Sequence, residues 1–272
     1  LNNSYKLLVV DIDGTLINKD GAISAEDRDA LAKVAGLGVR LSLSTGRVAK
    51  ACLKVISQLS LDGCHIFFDG ALVSNIENGE EVDVRPISKS QVRQVIDYVR
   101  RNEMDIDLYS ATRYFVRRET WATEIRRQFF GLEPTVVDFS ELWREERIIK
   151  GTLVTSSAEE RAKVDGFYRR FEGSLSFSRT TTPAYPNVYF DNVINRGVSK
   201  GKALEALASY LGIPLAEVMV IGDGLNDVSL LSVAGLAVAM GNAPDELKAV
   251  ADHVTLDIDH SGVAAAVSKF LL

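Results

Sequence analysis

A short apolar run, Lys6-Leu7-Leu8-Val9-Val10, leads into Asp11-Ile12-Asp13-Gly14-Thr15-Leu16, and this junction constrains the fold more than any other stretch. The run reads as a strand buried on both faces, as parallel sheets require. Two carboxylates two residues apart at its carboxyl end then point into the crevice where open α/β sheets bind ligands. Two anions held together there repel each other unless a cation or a shared proton offsets them. In isolation Asp-x-Asp-Gly also suits a solvated turn. Its meaning depends on what the rest of the chain brings to the same end of the sheet.

A strand–helix rhythm follows. Ser24-Ala25-Glu26-Asp27 has capping-box spacing and opens a helix with Leu31 and Val34 inward, ended by Gly36 and Gly38. Residues 39–44 alternate as a strand that finishes at Thr45-Gly46-Arg47. Val48, Cys52, Val55, Ile56 and Leu59 form one helical stripe, and residues 65–68 make a third strand turning at Asp69-Gly70. The order βαβαβ implies a right-handed, parallel α/β sheet.

The rhythm breaks after Val82. Val92, Val95, Ile96 and Val99 mark a helix, followed by strand-like residues 106–109 and 114–116. The same helix–strand–strand order recurs at 157–171, 175–178 and 188–190, and Trp121 and Trp143 fall in this region with many of the aromatics, enough for a small core of its own. The α/β pattern then returns. Ser199 is an N-cap for a helix with Leu204, Leu207 and Leu211 inward, and residues 218–221 form a buried strand ending in Gly222-Asp223-Gly224-Leu225-Asn226-Asp227. Further elements are expected at 228–231, 236–240, 245–250 and 263–271. The predicted organisation is a Rossmann-like parallel-sheet core domain, residues 1–81 and 191–272, carrying an inserted α+β cap domain over 82–190.

Composition narrows the class. A chain of 272 residues with 46% apolar and 25% charged residues is that of a globular protein, and a net charge of −6 argues against a general nucleic-acid binder. No apolar run approaches a membrane span and no signal-peptide pattern is present, so a cytoplasmic location and no membrane partner are expected. Cys52 and Cys64 do not make a disulfide framework and read as small buried hydrophobes. Of the 31 basic and 37 acidic residues, 18 and 16 lie in 82–190, leaving +2 there and −8 elsewhere. An acidic crevice under a slightly basic lid suits a cation together with an anionic substrate.

Several chemically apt residues fall at strand ends or helix starts on one side of the sheet: Asp11 and Asp13, Thr45 and Gly46, Asp223 with Asn226 and Asp227, and Lys200 in the first turn of its helix. Clustered carboxylates select a hard cation such as Mg²⁺. A Thr hydroxyl, a Lys ammonium and helix N-terminal amides are what phosphoryl oxygens need around them. Each has a plainer reading alone: Thr45 as a helix cap, Lys200 as a surface lysine, Asn226 and Asp227 as caps after the Gly224 turn. Together and in this order they are hard to dismiss.

Asp11-Ile12-Asp13-Gly14-Thr15-Leu16, Ser44-Thr45-Gly46-Arg47, Val198-Ser199-Lys200-Gly201 and Gly222-Asp223-Gly224-Leu225-Asn226-Asp227 resemble the four ordered motifs of the haloacid dehalogenase-like (HAD) phosphohydrolases. The insertion, between the second and third motifs, resembles that of the subgroup with a type IIB cap. One departure is Asp69-Gly70-Ala71, where many members of that subgroup carry Asn-Gly-Ala. The resemblance implies a Mg²⁺-dependent phosphatase acting on a small phosphorylated metabolite, sugar phosphates being one such class, through an aspartyl-phosphate on Asp11. It makes Asp13 the acid and base. It assigns the metal to Asp11, the backbone carbonyl of Ile12 or of its neighbour Asp13, and Asp223, and the phosphoryl group to Thr45, Gly46, Lys200 and Asn226, with Asp227 supporting.

A phosphomutase of the phosphomannomutase type shares such a core and cap, and a metabolite-binding protein without catalysis is the reading from another class. Loss of Asp11 or Asp13 would have favoured the latter, and both are present. Gly197-Val198-Ser199-Lys200-Gly201-Lys202 is one residue short of a P-loop, with Ala203 in place of Ser or Thr. His65, His253 and His260 lack metal-ligand spacing, and Arg117-Arg118 and Arg126-Arg127 read as solvated faces.

Overall fold

The computed structural model describes residues 4–182 and 185–272. The chain forms two compact units. The first takes the chain up to Arg47, then Cys52–Asp83 and Ser199–Leu272; the second takes Val48–Ala51 and Val84–Val198.

The first unit begins with strand β1 (Leu7–Asp11), helix α1 (Ala25–Gly36), β2 (Arg40–Ser44), α2 (Leu53–Gln58), β3 (His65–Phe67), β4 (Leu72–Asn75) and β5 (Glu80–Val84). In the second unit follow α3 (Lys89–Arg101), β6 (Asp107–Tyr109), β7 (Tyr114–Val116), α4 (Trp121–Phe130), β8 (Thr135–Val136), α5 (Phe139–Glu145), β9 (Lys150–Thr155), α6 (Ala158–Phe171), β10 (Leu175–Thr182) and β11 (Tyr185–Asn195). The first unit resumes with α7 (Lys200–Leu211), β12 (Val218–Gly222), α8 (Val228–Leu231), β13 (Leu236–Ala239), α9 (Asp245–Lys248), β14 (His253–Val254) and α10 (Gly262–Phe270).

The first unit's sheet has the order β14-β13-β12-β1-β2-β3-β4-β5, parallel from β14 to β3. This is the expected α/β parallel-sheet core. β1 lies centrally, with Leu7 opposite Val218 on one side and Arg40 on the other. Its alternation sends Leu7 and Val9 to the face covered by Ala203, Leu204, Leu207 and Ala208 of α7, and Leu8 and Val10 to the opposite face; all four are buried. Each such side chain contributes roughly 1.5–3 kcal/mol on burial. The sheet is not parallel throughout. β4, which the sequence reading passed over along with β5, runs antiparallel to β3. The four residues 68–71 that join β3 to β4 are too few to cross the sheet, so the chain pairs back on itself.

The second unit's sheet has the order β10-β11-β9-β6-β7-β8. One face packs against α3, α5 and α6 through Val92, Ile96, Phe139, Phe167 and Phe171. Aromatics supply a core of the unit's own, as expected, mainly through phenylalanine: Trp143 packs against it, while Trp121 is 43% exposed. β9, absent from that reading, pairs with both β11 and β6. Its Lys-Gly-Thr start hides a strand, because Lys150 and Thr152 alternate with core positions Gly151 and Leu153. β11 runs unbroken to Asn195, beyond the expected limit of 190. Asn195 Nδ2 then donates to the Pro86 carbonyl at 2.8 Å, tying the last strand of the unit to its first residues. Arg126 is buried beside Asp107, its Nε 3.2 Å from Oδ2, and so does not lie on a solvated face as expected.

Candidate functional site

Every expected site residue lies in the first unit, on the loops that leave the carboxyl ends of β1, β2 and β12 or at the start of α7. Each loop is held by its own local chemistry. After β1 the chain turns at Gly14, whose φ of +86° suits glycine; a Cβ there would overlap Asp223 Oδ2. The turn is closed by Leu16 and Ile17 N–H donating to the Ile12 carbonyl at 3.0 and 2.8 Å. α7 starts where the Ser199 hydroxyl accepts from Lys202 N–H, which fixes Lys200 in the first turn. After β12, Asp227 Oδ2 accepts from Asp223 and Gly224 N–H at 3.1 and 3.0 Å, shaping the loop that carries Asp223.

Lys200 is the centre of the arrangement. Its side chain is 1% exposed, and Nζ donates to Asp11 Oδ1 and Asp227 Oδ1, both at 2.6 Å, and to the Ser44 carbonyl at 3.4 Å. Burial opposes its charge, but Asp11 and Asp227 outweigh that and hold its pKa well above the ordinary lysine value. Asp11, Asp223 and Asp227 each offer an oxygen within 4.8 Å of the others. Burial pushes Asp11 well above the usual carboxylate range despite Lys200. Burial also raises Asp223, to about 6, against the opposing bond from the Thr15 hydroxyl to its Oδ1 at 2.8 Å. The facing donors are carboxylate oxygens that lack sufficient positive charge. That set fits a hard divalent cation such as Mg²⁺.

Asp13 behaves differently from the other carboxylates. It is not in the trio; its side chain is 57% exposed and accepts from Arg47, with Nε at 2.8 Å from Oδ2 and a terminal nitrogen on Oδ1. As a side-chain metal ligand it is therefore not supported, and Asp227 stands in the trio instead. Asp227 has one oxygen on Lys200 and the other on two backbone amides, which suits a supporting role. Thr45 is fully buried, and its Oγ1 accepts from Arg47 N–H at 3.0 Å, leaving its own proton to donate. Gly46 lies so close to Asp69 that a Cβ would stand 2.9 Å from its Oδ1. Asn226 is exposed and donates through Nδ2 to Asp69 Oδ1 at 2.9 Å.

Four participants have no role assigned from the sequence. Thr15 bonds Asp223, Arg47 holds Asp13 as a second cation beside Lys200, and Asp69 meets Asn226. Asn242 donates to the Gly14 carbonyl at 2.9 Å while its own Oδ1 accepts from Ile258 N–H at 3.0 Å. The available signal was position: Asn242 follows β13, which neighbours β12, and so leaves the sheet at the same end as the four motifs.

Comparison with known proteins agrees with this geometry. Residues 8–267 match the family described as haloacid dehalogenase-like hydrolase. The phosphatase YwpJ of Bacillus subtilis is 27% identical, the match covering 98% of this chain and 100% of that protein. The solved structure of a haloacid dehalogenase-like hydrolase from Bacteroides thetaiotaomicron superposes with a TM-score of 0.85 at 26% identity, covering 97% of this chain and 99% of the other. The HAD subclass IIB sugar phosphatase BT4131 superposes with a TM-score of 0.79 at 27% identity, covering 97% and 98%.

Proposed function

This chain belongs to the haloacid dehalogenase-like hydrolases, and from that premise we propose that it is a Mg²⁺-dependent phosphatase of a small phosphorylated metabolite, with a type IIB cap. The observation that carries the proposal is the buried Lys200 held between Asp11 and Asp227, with Asp223 completing the trio. A buried lysine pinned at two carboxylates keeps its charge and position as the reaction proceeds.

In this reading Asp11 attacks phosphorus in line, forming an aspartyl-phosphate as the bond to the leaving oxygen breaks. Asp13 gives its proton to that oxygen, then takes one from the water that hydrolyses the intermediate. Both Asp13 oxygens are engaged by Arg47, so it must release that contact to reach a leaving oxygen. The Thr45 hydroxyl, a Gly46 amide approach, Lys200 and the Asn226 amide hold the phosphoryl oxygens. Mg²⁺ would be held by Asp11, Asp223 and the backbone carbonyl of Asp13, because the Ile12 carbonyl already accepts two hydrogen bonds. When bound, it supplies positive charge against the carboxylates and the phosphoryl oxygens. Similarity to a sugar phosphatase supports a sugar phosphate as the substrate class.

The test separates the two carboxylates of the opening motif. Intact-protein mass spectrometry after incubation with an activated ester such as acetyl phosphate should show an added phosphoryl group on Asp13→Asn, which keeps the nucleophile. Asp11→Asn should show none and no turnover. A labelled Asp11→Asn protein would mean that the nucleophile is another residue.

A further inference from the structure

We infer that Asp69 is a positioning residue that fixes the orientation of the Asn226 amide in the phosphoryl site. The inference rests on the proposed role of Asn226 as a phosphoryl ligand. Asp69 does not reach its place cheaply. Phe68 and Asp69 have φ of +54° and +56°, two consecutive residues in the left-handed region without being glycine. The turn is held there by Phe68 N–H donating to the Arg47 carbonyl at 3.1 Å and Asp69 N–H to the Thr45 carbonyl at 3.0 Å. The loop after β2 and the turn after β3 are thus fastened to each other, and the Asp69 carboxylate projects between Gly46 and Asn226.

A carboxylate at this point has one property that a neutral side chain lacks: it only accepts. Asn226 meets it through Nδ2, at 2.9 Å from Oδ1, and turns its own Oδ1 toward Gly224, where a Cβ would stand 2.5 Å away. Reversing the amide would set one acceptor oxygen against another at hydrogen-bond distance. An asparagine at 69 could face Asn226 with either its oxygen or its nitrogen, and would permit both orientations. With Asp69 a single orientation is allowed, in which one Nδ2 proton is bound to Asp69 and the second is left for a phosphoryl oxygen. Lys200 is one of the groups that feels the Asp69 charge.

The test is a double-mutant cycle read by hydrolysis of 4-nitrophenyl phosphate and by inhibition with inorganic phosphate. Asp69→Gly suits the left-handed turn better than aspartate does, so a merely structural role predicts unchanged kinetics and an unchanged or higher melting temperature. Orientation of Asn226 predicts instead that Asp69→Gly and Asn226→Ala each lower kcat/KM and weaken phosphate inhibition by about tenfold, as expected for a hydrogen bond to a charged group. Their combination should then be no worse than Asn226→Ala alone. Asp69→Asn, which keeps the turn and allows both amide orientations, should fall between wild type and Asp69→Gly. Wild-type kinetics in Asp69→Gly, or losses that multiply to about a hundredfold in the double variant, would overturn the inference while leaving the phosphatase reading intact. A wild-type protein that turns over no phosphate ester would overturn that reading, and this inference with it.

Discussion

Replacing Lys200 by methionine isolates what the buried ion pairs contribute. Methionine keeps all but the last atom of the side chain and removes the ammonium that Asp11 and Asp227 share at 2.6 Å. Removing one partner of a buried pair costs about 3–5 kcal/mol because the other is left uncompensated, and here two carboxylates are left beside a third. The loss should depend on pH, in a direction that the shifts decide. In the wild type, the folded pKa of Lys200 is raised, so its contribution is complete below the ordinary lysine value and constant between pH 5 and 8. In the variant, Asp11, already raised by burial, escapes by keeping its proton. That escape is easy at pH 5 and progressively harder as pH rises, so the gap between variant and wild type should widen toward pH 8. Urea unfolding resolves this: with a slope of about 2–3 kcal/mol per molar, the midpoint should fall by roughly 1–2 M at pH 8 and by less at pH 5. Tryptophan fluorescence is the wrong probe, because Trp121 and Trp143 both lie in the second unit. Far-UV circular dichroism with hydrogen exchange at β1 and β12 reports the unit concerned. A midpoint unchanged at pH 8, or the same loss at both pH values, would refute the reasoning.

Mg²⁺ should raise the melting temperature more at pH 8 than at pH 5: Asp223, raised to about 6, costs stability as pH climbs from its unfolded value of 3.8, and the cation relieves that cost. Equal shifts at the two pH values would count against a carboxylate site. Gly14→Ala should abolish the Mg²⁺-dependent shift while leaving the sheet folded, since the new methyl group takes the place of the Asp223 carboxylate oxygen; circular dichroism and melting with and without metal check both halves. His65, buried and accepting from Leu43 N–H at 3.3 Å, has its pKa lowered to about 4 by burial. Its folded value lies below the unfolded 6.5, so stability should drain away as pH falls from 6.5 toward 4, by roughly 3 kcal/mol in total, and His65→Gln should flatten that slope in acid unfolding curves.

The parts of the fold that could be read from the sequence are those where one physical demand dominates. β1 and β12 are buried on both faces, and only unbroken apolar runs satisfy that, so they stood out. β9 did not, because a strand whose one face carries Lys150 and Thr152 and whose other carries Gly151 has no apolar run to notice. β4 and β5 are short neighbouring strands at the sheet edge, the outer one mostly acidic, and pairing rather than composition makes them strands. At the site, residue types and strand-end positions placed Asp11, Thr45, Lys200, Asp223 and Asn226 together. The direction of a side chain was another matter. That Asp13 turns to Arg47, and that Asp227 joins the carboxylate trio, depends on rotamers set by distant loops. The burial of Arg126 followed from a partner 19 residues away, Asp107, that no local pattern connects to it.

The bond between Asn195 and Pro86 bears on the order in which the molecule assembles. It brings together two points 109 residues apart, so the second unit, once folded, hands the chain back close to where it left. For the first unit the whole inserted stretch then acts as a short link. Halving an effective loop saves only about 0.6 kcal/mol in closure entropy, so the length of the insertion has little influence on whether the sheet forms. Timing is affected far more. β1 emerges from the ribosome with β2 as a partner, but its other neighbour, β12, begins at Val218. Until then β1 offers an open apolar edge, which is a template for pairing with other chains. The second unit is one nearly continuous stretch that can fold during this interval. The carboxylate trio exists only afterwards, because Asp11 ends β1 while Asp223 and Asp227 follow β12. A truncated chain that stops before Val218 therefore lacks Asp223 and Asp227 and also the strand that covers the open edge of β1.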